Sequence, residues 1–163
     1  MTSISAKDTV KRLDAMIAKY VSDLEKLPSS QRLSESSLST VYAMACALLQ
    51  SGQLPQASAY FSFLLLYAPT HPDYLCARAS CAIQQSNPQM AVNLLSLALY
   101  VKPQSCAIAL ALVEALVATD ATEAARHILQ QVRRLALPED ATLLARAELW
   151  LQTLTEQALH AAT

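Results

Sequence analysis

The stretch SGQLPQASAYFSFLLLYAPTHP, residues 51–72, holds the single glycine of the chain, Gly52, and then an apolar run that stops at Pro69. Glycine is the residue that ends a helix in a left-handed turn without steric cost, so Gly52 reads as the close of one helix and the run after it as the next. Counting onward supplies a period. Ala57 recurs as Ala91 and Ala125, and Pro69 as Pro103, each step being 34 residues. A fixed interval of that size is the signature of stacked helical hairpins, each burying its apolar face on its neighbour.

The period divides the centre of the chain into three helix–turn–helix units, about 38–71, 72–105 and 106–137. The turns are SGQLPQ, QSNPQM and ATDATE. Asn87 and Asp120, both tolerated in turns, are expected near the place of Gly52 in the second and third units. Pro55 and Pro88 fall in the first turn of the second helices, where a missing N–H costs nothing. Ala57, Ala91 and Ala125 mark close helix crossings. Phe61, Leu95 and Leu129, four residues on, share that helical face and fill the space below.

The flanks differ from the array. In residues 7–27, Val10, Leu13, Ile17, Tyr20 and Leu24 alternate three and four apart, an a/d seam that either packs on its own domain or acts as a dimerisation arm. Residues 28–37, PSSQRLSESS, form a polar linker in which Ser36 or Ser37 is expected to cap the next helix. Pro138 opens a final segment whose Leu143, Ala147, Trp150, Leu151 and Leu154 make an apolar face suited to capping the array. The organisation expected is 1–37, 38–137 and 138–163, all of it α-helical.

Composition narrows the function. Apolar residues make up 53% of the 163 and charged residues 15%, against about 25% charged in ordinary soluble domains. A net charge of -1 leaves no basic stripe for nucleic acid. The longest apolar run, CAIALALVEALVA at 106–118, carries Glu114 and falls short of the ~20 residues a bilayer requires. The N-terminus mixes Lys7, Asp8, Lys11, Arg12 and Asp14 and has no signal-peptide core, so a cytoplasmic protein is expected.

No catalytic constellation emerges. His71, His127 and His160 show no i, i+4 pairing, one glycine cannot build a phosphate loop, and no G-x-S-x-G occurs. Cys46, Cys76, Cys81 and Cys106 lack C-x-x-C spacing and are expected as packed thiols. No enzyme activity, cofactor or metal is expected.

What remains is a binding surface. The first helices of such hairpins line the concave side, and the inward positions are Tyr42, Cys46 and Leu49, then Cys76, Ser80 and Ile83, then Leu110, Glu114 and Val117. From residue 53 to 125 the only charged residues are Asp73, Arg78, Lys102, Glu114, Asp120 and Glu123. So little charge points to self-pairing or to an apolar client. An extended peptide suits this groove, with side chains in apolar pockets and its backbone bonded by Tyr42, Gln50 and Gln84.

The array resembles tetratricopeptide repeats. The first repeat matches at Ala45, Ala57, Phe61 and Pro69, and the second at Ala79, Ala91, Leu95, Ala98 and Pro103. In the third, Ala125 and Leu129 match, while Leu137 stands where proline is expected and Pro138 comes one residue late. More narrowly, the chain is similar to the class II chaperones of bacterial type III secretion. VYAMACALLQSGQLPQASAYFSFLLLYAPTHPDY (41–74) resembles their first repeat with its QSG turn. ALVEALVATDATEAA (111–125) resembles their third, with an acid at Glu114. Cys46 and Leu49 depart from the aromatics that family often places along the groove, and the serine-rich linker replaces a glycine-containing stretch.

The resemblance implies a cytoplasmic chaperone that holds a hydrophobic translocator segment in its groove and keeps it soluble and export-competent, without nucleotide; the N-terminal seam suggests a homodimer. Two alternatives stand beside it. One is a chaperone of needle or apparatus subunits, whose members are generally shorter and lack the full N-terminal helix. The other is a generic repeat adaptor, which would place lysine, asparagine or arginine on the concave face to clamp a carboxylate.

Overall fold

The computed structural model describes residues 19, 22, 23, 33–136 and 140–161. The N-terminal seam of Val10, Leu13, Ile17, Tyr20 and Leu24, and the Pro138 start of the last segment, lie outside the described residues. From residue 33 onward the chain forms α1 (Glu35–Gln50), α2 (Leu54–Tyr67), α3 (Pro72–Gln84), α4 (Pro88–Val101), α5 (Cys106–Val117), α6 (Thr122–Leu135) and α7 (Ala141–Ala161). No strand occurs among the described residues. Each helix packs on the next in the sequence, α1 also touches α3, and α5 touches α7. This is a stack of three helix pairs in the tetratricopeptide manner, with α7 laid on its last pair.

Local chemistry sets the helix ends. Ser34, not Ser36 or Ser37, caps α1, its Oγ accepting from the Ser37 N–H at 3.2 Å. Ser34 sits in extended backbone, as a capping residue must, while the later serines are already helical. α3 and α4 open with Pro72 and Pro88 at their first positions, and Pro55 lies in the first turn of α2.

Three turns inside the helix pairs repeat one device. Gly52, Ser86 and Asp120 have φ of +76°, +58° and +58°. At each, the left-handed residue's N–H bonds a carbonyl three residues back, and the next N–H reaches five back: Gln53 to Leu48 at 2.9 Å, Asn87 to Ala82 at 2.8 Å, Ala121 to Leu116 at 2.9 Å. These are Schellman closures. Ser86 therefore takes the role expected near Asn87. Asn87 instead caps α4, accepting from the Met90 N–H at 3.2 Å.

The packing positions follow the period. Ala57, Ala91 and Ala125 are fully buried, and so are Phe61, Leu95 and Leu129 beneath them. Among the described residues the core falls into two parts. A small one holds Ala45, Ala57, Phe61, Leu64, Tyr74 and Cys81. A larger one runs from α3 to α7 and includes Leu110, Val113, Ala147 and Leu154. Leu65 packs against both.

Candidate functional site

The first helices α1, α3 and α5 carry the inward positions named from the sequence. Tyr42 is half-buried. Its ring meets Phe61 edge-on at 5.9 Å and tilts against Tyr74 at 5.2 Å, and Tyr74 stacks on His71 at 4.0 Å. Offset and edge-on contacts of this kind hold rings in place. Burial, then a hydrogen bond with Cys46, push the Tyr42 phenol up to about 12. At neutral pH it is therefore a fixed O–H beside Cys46, with Cys76 and Asp73 near enough to act on it.

Leu49 and Val117 are half-buried, and Ile83 is 38% exposed. Ser80 is exposed, and its hydroxyl donates to the Cys76 carbonyl at 3.1 Å. Cys76 is half-buried; burial raises its thiol, with Asp73 adding and Lys102 opposing. Burial also raises Cys81 and Cys106, and the Cys106 thiol donates to Asp140 Oδ2 at 3.5 Å. Thiols raised in this way are not poised as nucleophiles. Among the described residues no group of three or more His, Cys, Asp or Glu is arranged around a metal, and no helix is long and apolar enough to cross a membrane.

Leu110 departs from the expected groove. It is 1% exposed and belongs to the larger core. The reason is its helix: α5 is flanked by α4 on one side and by α6 and α7 on the other, and eight of its 12 residues are buried. Glu114, one turn on, reaches the surface and pairs with Arg146 of α7 at 2.5 Å. Around that pair, Leu149, Trp150 and Thr153 complete a cleft of about 370 Å³.

Sequence reasoning missed two groups. Tyr74, itself stacked on His71, meets the Tyr42 ring beside Phe61; the spacing of Tyr74 two residues past Pro72 gave no sign of this α1–α3 contact. Trp150 is expected from the sequence only as part of a cap, and Arg146 and Leu149 are not singled out. Extending the period one step beyond α5 would have placed α7 in the row of first helices.

No protein-family model matches the sequence, and no curated protein matches it significantly. Solved structures do match in fold. PcrH from Pseudomonas aeruginosa is 21% identical, with a TM-score of 0.71 over 79% of this chain and 99% of that one. The type III secretion chaperone SycD from Yersinia enterocolitica, solved with a peptide of the translocator YopD, is 18% identical, with a TM-score of 0.72 over 78% and 99%. This chain has the fold of SycD. A type III secretion complex from Aeromonas hydrophila gives 19% identity and a TM-score of 0.76 over 88% and 97%.

Proposed function

We propose that this protein is a cytoplasmic type III secretion chaperone that holds an apolar segment of a translocator, extended, along its concave face. One observation carries the reading: an inward row of Tyr42, Cys46, Leu49, Cys76, Ser80, Ile83 and Val117 in which Glu114 is the one charged side chain, on a fold shared with a chaperone solved with a translocator peptide. A solvated face would carry more charge there. The Tyr42 O–H and the exposed amides of Gln50 and Gln84 suit backbone groups of a bound strand, while the apolar positions suit alternate side chains. Binding of this kind needs no cofactor and no chemical step. It conceals a membrane-seeking segment until export.

The N-terminal seam of Val10, Leu13, Ile17, Tyr20 and Leu24 is proposed to join two copies. Deleting residues 1–30 then halves the mass seen in sedimentation, and an unchanged mass retires the arm.

The test of the function is recovery of the tagged chain from its native cells with mass spectrometry of what accompanies it. A stoichiometric hydrophobic secreted protein is the expected result, lost with Ile83→Glu while helicity is retained. If only soluble enzymes or regulators accompany the chain, the chaperone reading fails and a general adaptor replaces it. If a small amphipathic helical subunit is recovered, the client class moves to the secretion apparatus.

A further inference from the structure

The inward row does not stop at the third helix pair. α7 packs on α6 and touches α5, as α3 touches α1, so it stands where the first helix of a fourth pair would stand. The cleft between α5 and α7, about 370 Å³, is within the ~300–1,000 Å³ range of binding pockets. Its lining is Glu114 from α5 with Arg146, Leu149, Trp150 and Thr153 from α7.

The lining has a definite chemistry. Leu149 is 64% exposed. Trp150 packs against the larger core with part of its surface and lines the cleft with another. The two therefore offer apolar surface that folding alone leaves open to water. Arg146 and Glu114 pair at 2.5 Å with side chains 57% and 39% exposed, so the charges cancel locally and the cleft favours a neutral occupant. Guanidinium has five N–H donors and a carboxylate has two oxygens; one bond between them leaves capacity for the C=O and N–H groups of an extended chain.

We propose that this cleft is the terminal subsite of the groove, and that its occupant is a bulky aliphatic or aromatic side chain of the same client segment that lies along Tyr42 and Ile83. The inference rests on the groove reading above and adds α7 to the binding surface. Continuity with the inward row argues for the same client, and local neutrality argues for an uncharged side chain with its backbone toward Arg146 and Glu114.

The experiment uses the full chain in its native cells. A photo-activatable phenylalanine analogue replaces Leu149 in one variant and Ile83 in another, and cross-linked peptides are sequenced. Cross-links from both positions to one protein, at different points of one short segment, are expected. Cross-links from Ile83 alone overturn the α7 subsite and leave the groove reading intact. Cross-links from Leu149 to a different protein also overturn it. Cross-links from neither overturn the groove reading and this inference together. A second measurement separates binding from folding. Leu149→Glu is expected to weaken the purified complex about tenfold or more, as loss of one buried leucine would. Leu66→Glu, at an equally exposed leucine on α2, is expected to leave it unchanged. Equal effects from the two substitutions overturn the assignment.

Discussion

A left-handed residue with an ordinary side chain costs roughly 1–2 kcal/mol that glycine avoids. The array needs three such residues, at positions 52, 86 and 120, and uses glycine once. Ser86→Gly should therefore stabilise the protein by about 0.5–1 kcal/mol, the relief of strain being partly offset by the freedom glycine gains when unfolded. Gly52→Ala should cost about 1 kcal/mol although no atom lies within 4 Å of the added methyl, because the penalty lies in φ and not in packing. Urea denaturation measures both, and a neutral Gly52→Ala would mean the turn relaxes. The turn after α1 was legible because glycine has few other uses. The turn after α3 was less so: two polar residues competed for it, and Asn87 had a second use as a cap. Tyr42 makes a further test at this scale. An unfolded tyrosine ionises near 10 and the folded one near 12. The unfolded state thus loses its proton first, and stability present below pH 10 falls as pH rises toward 12. Tyr74 and the thiols of Cys76, Cys81 and Cys106 act with the same sign, since burial raises each. Tyr42→Phe should flatten part of that alkaline slope; an unaltered slope would mean the hydroxyl is solvated.

At the scale of the helix, periodic alanines proved more informative than hydrophobic faces. α2 reads LPQASAYFSFLLLY and is apolar on nearly every side, so its pattern alone does not say which face is buried. The 34-residue interval does, because Ala57 and its equivalents Ala91 and Ala125 are fully buried and mark the covered face. Ala91→Leu should overpack the α3–α4 crossing and cost about 1–3 kcal/mol. α4 also depends on its start. Asn87→Ala removes the acceptor for the Met90 N–H and should cost about 0.5–2 kcal/mol. Thermal melts followed by circular dichroism test both, and an unshifted Ala91→Leu would show that the crossing has slack. α7 was the element least legible in position. Its apolar stripe announced a cap, and Leu143, Ala147, Trp150, Leu151 and Leu154 do pack against the larger core. The stripe could not show that its polar shoulder, Arg146, reaches back to Glu114, since that pairing depends on how α7 is rotated on α5.

Across the whole molecule, stability in a stacked array is a sum of neighbouring interfaces, so a chain with two unequal cores need not open all at once. The smaller core belongs to α1, α2 and one side of α3, through Tyr74 and Cys81, and the larger one links α3 through α7. The two sides of α3, the α2–α3 packing, a smaller α1–α3 contact and the shared Leu65 join them. α1 and α2 should therefore exchange their amide hydrogens at lower free energy than α5, which has neighbours on both sides. Phe61→Ala deletes the largest fully buried side chain of the smaller core and should cost about 3–5 kcal/mol. That loss is expected to release α1 and α2 while α4 to α7 keep their protection. Hydrogen exchange by mass spectrometry reads this directly, and uniform loss of protection would show that the array melts as one unit. The same measurement bears on binding. Tyr42, Cys46 and Leu49 all lie on α1, the weak end, so a client seated there stabilises α1 and α2 by mass action. The gain in protection on adding client should be largest in those two helices, and smaller but measurable in α7 if Leu149 and Trp150 are covered. Protection that rises only in α5 and α6 would place the client elsewhere.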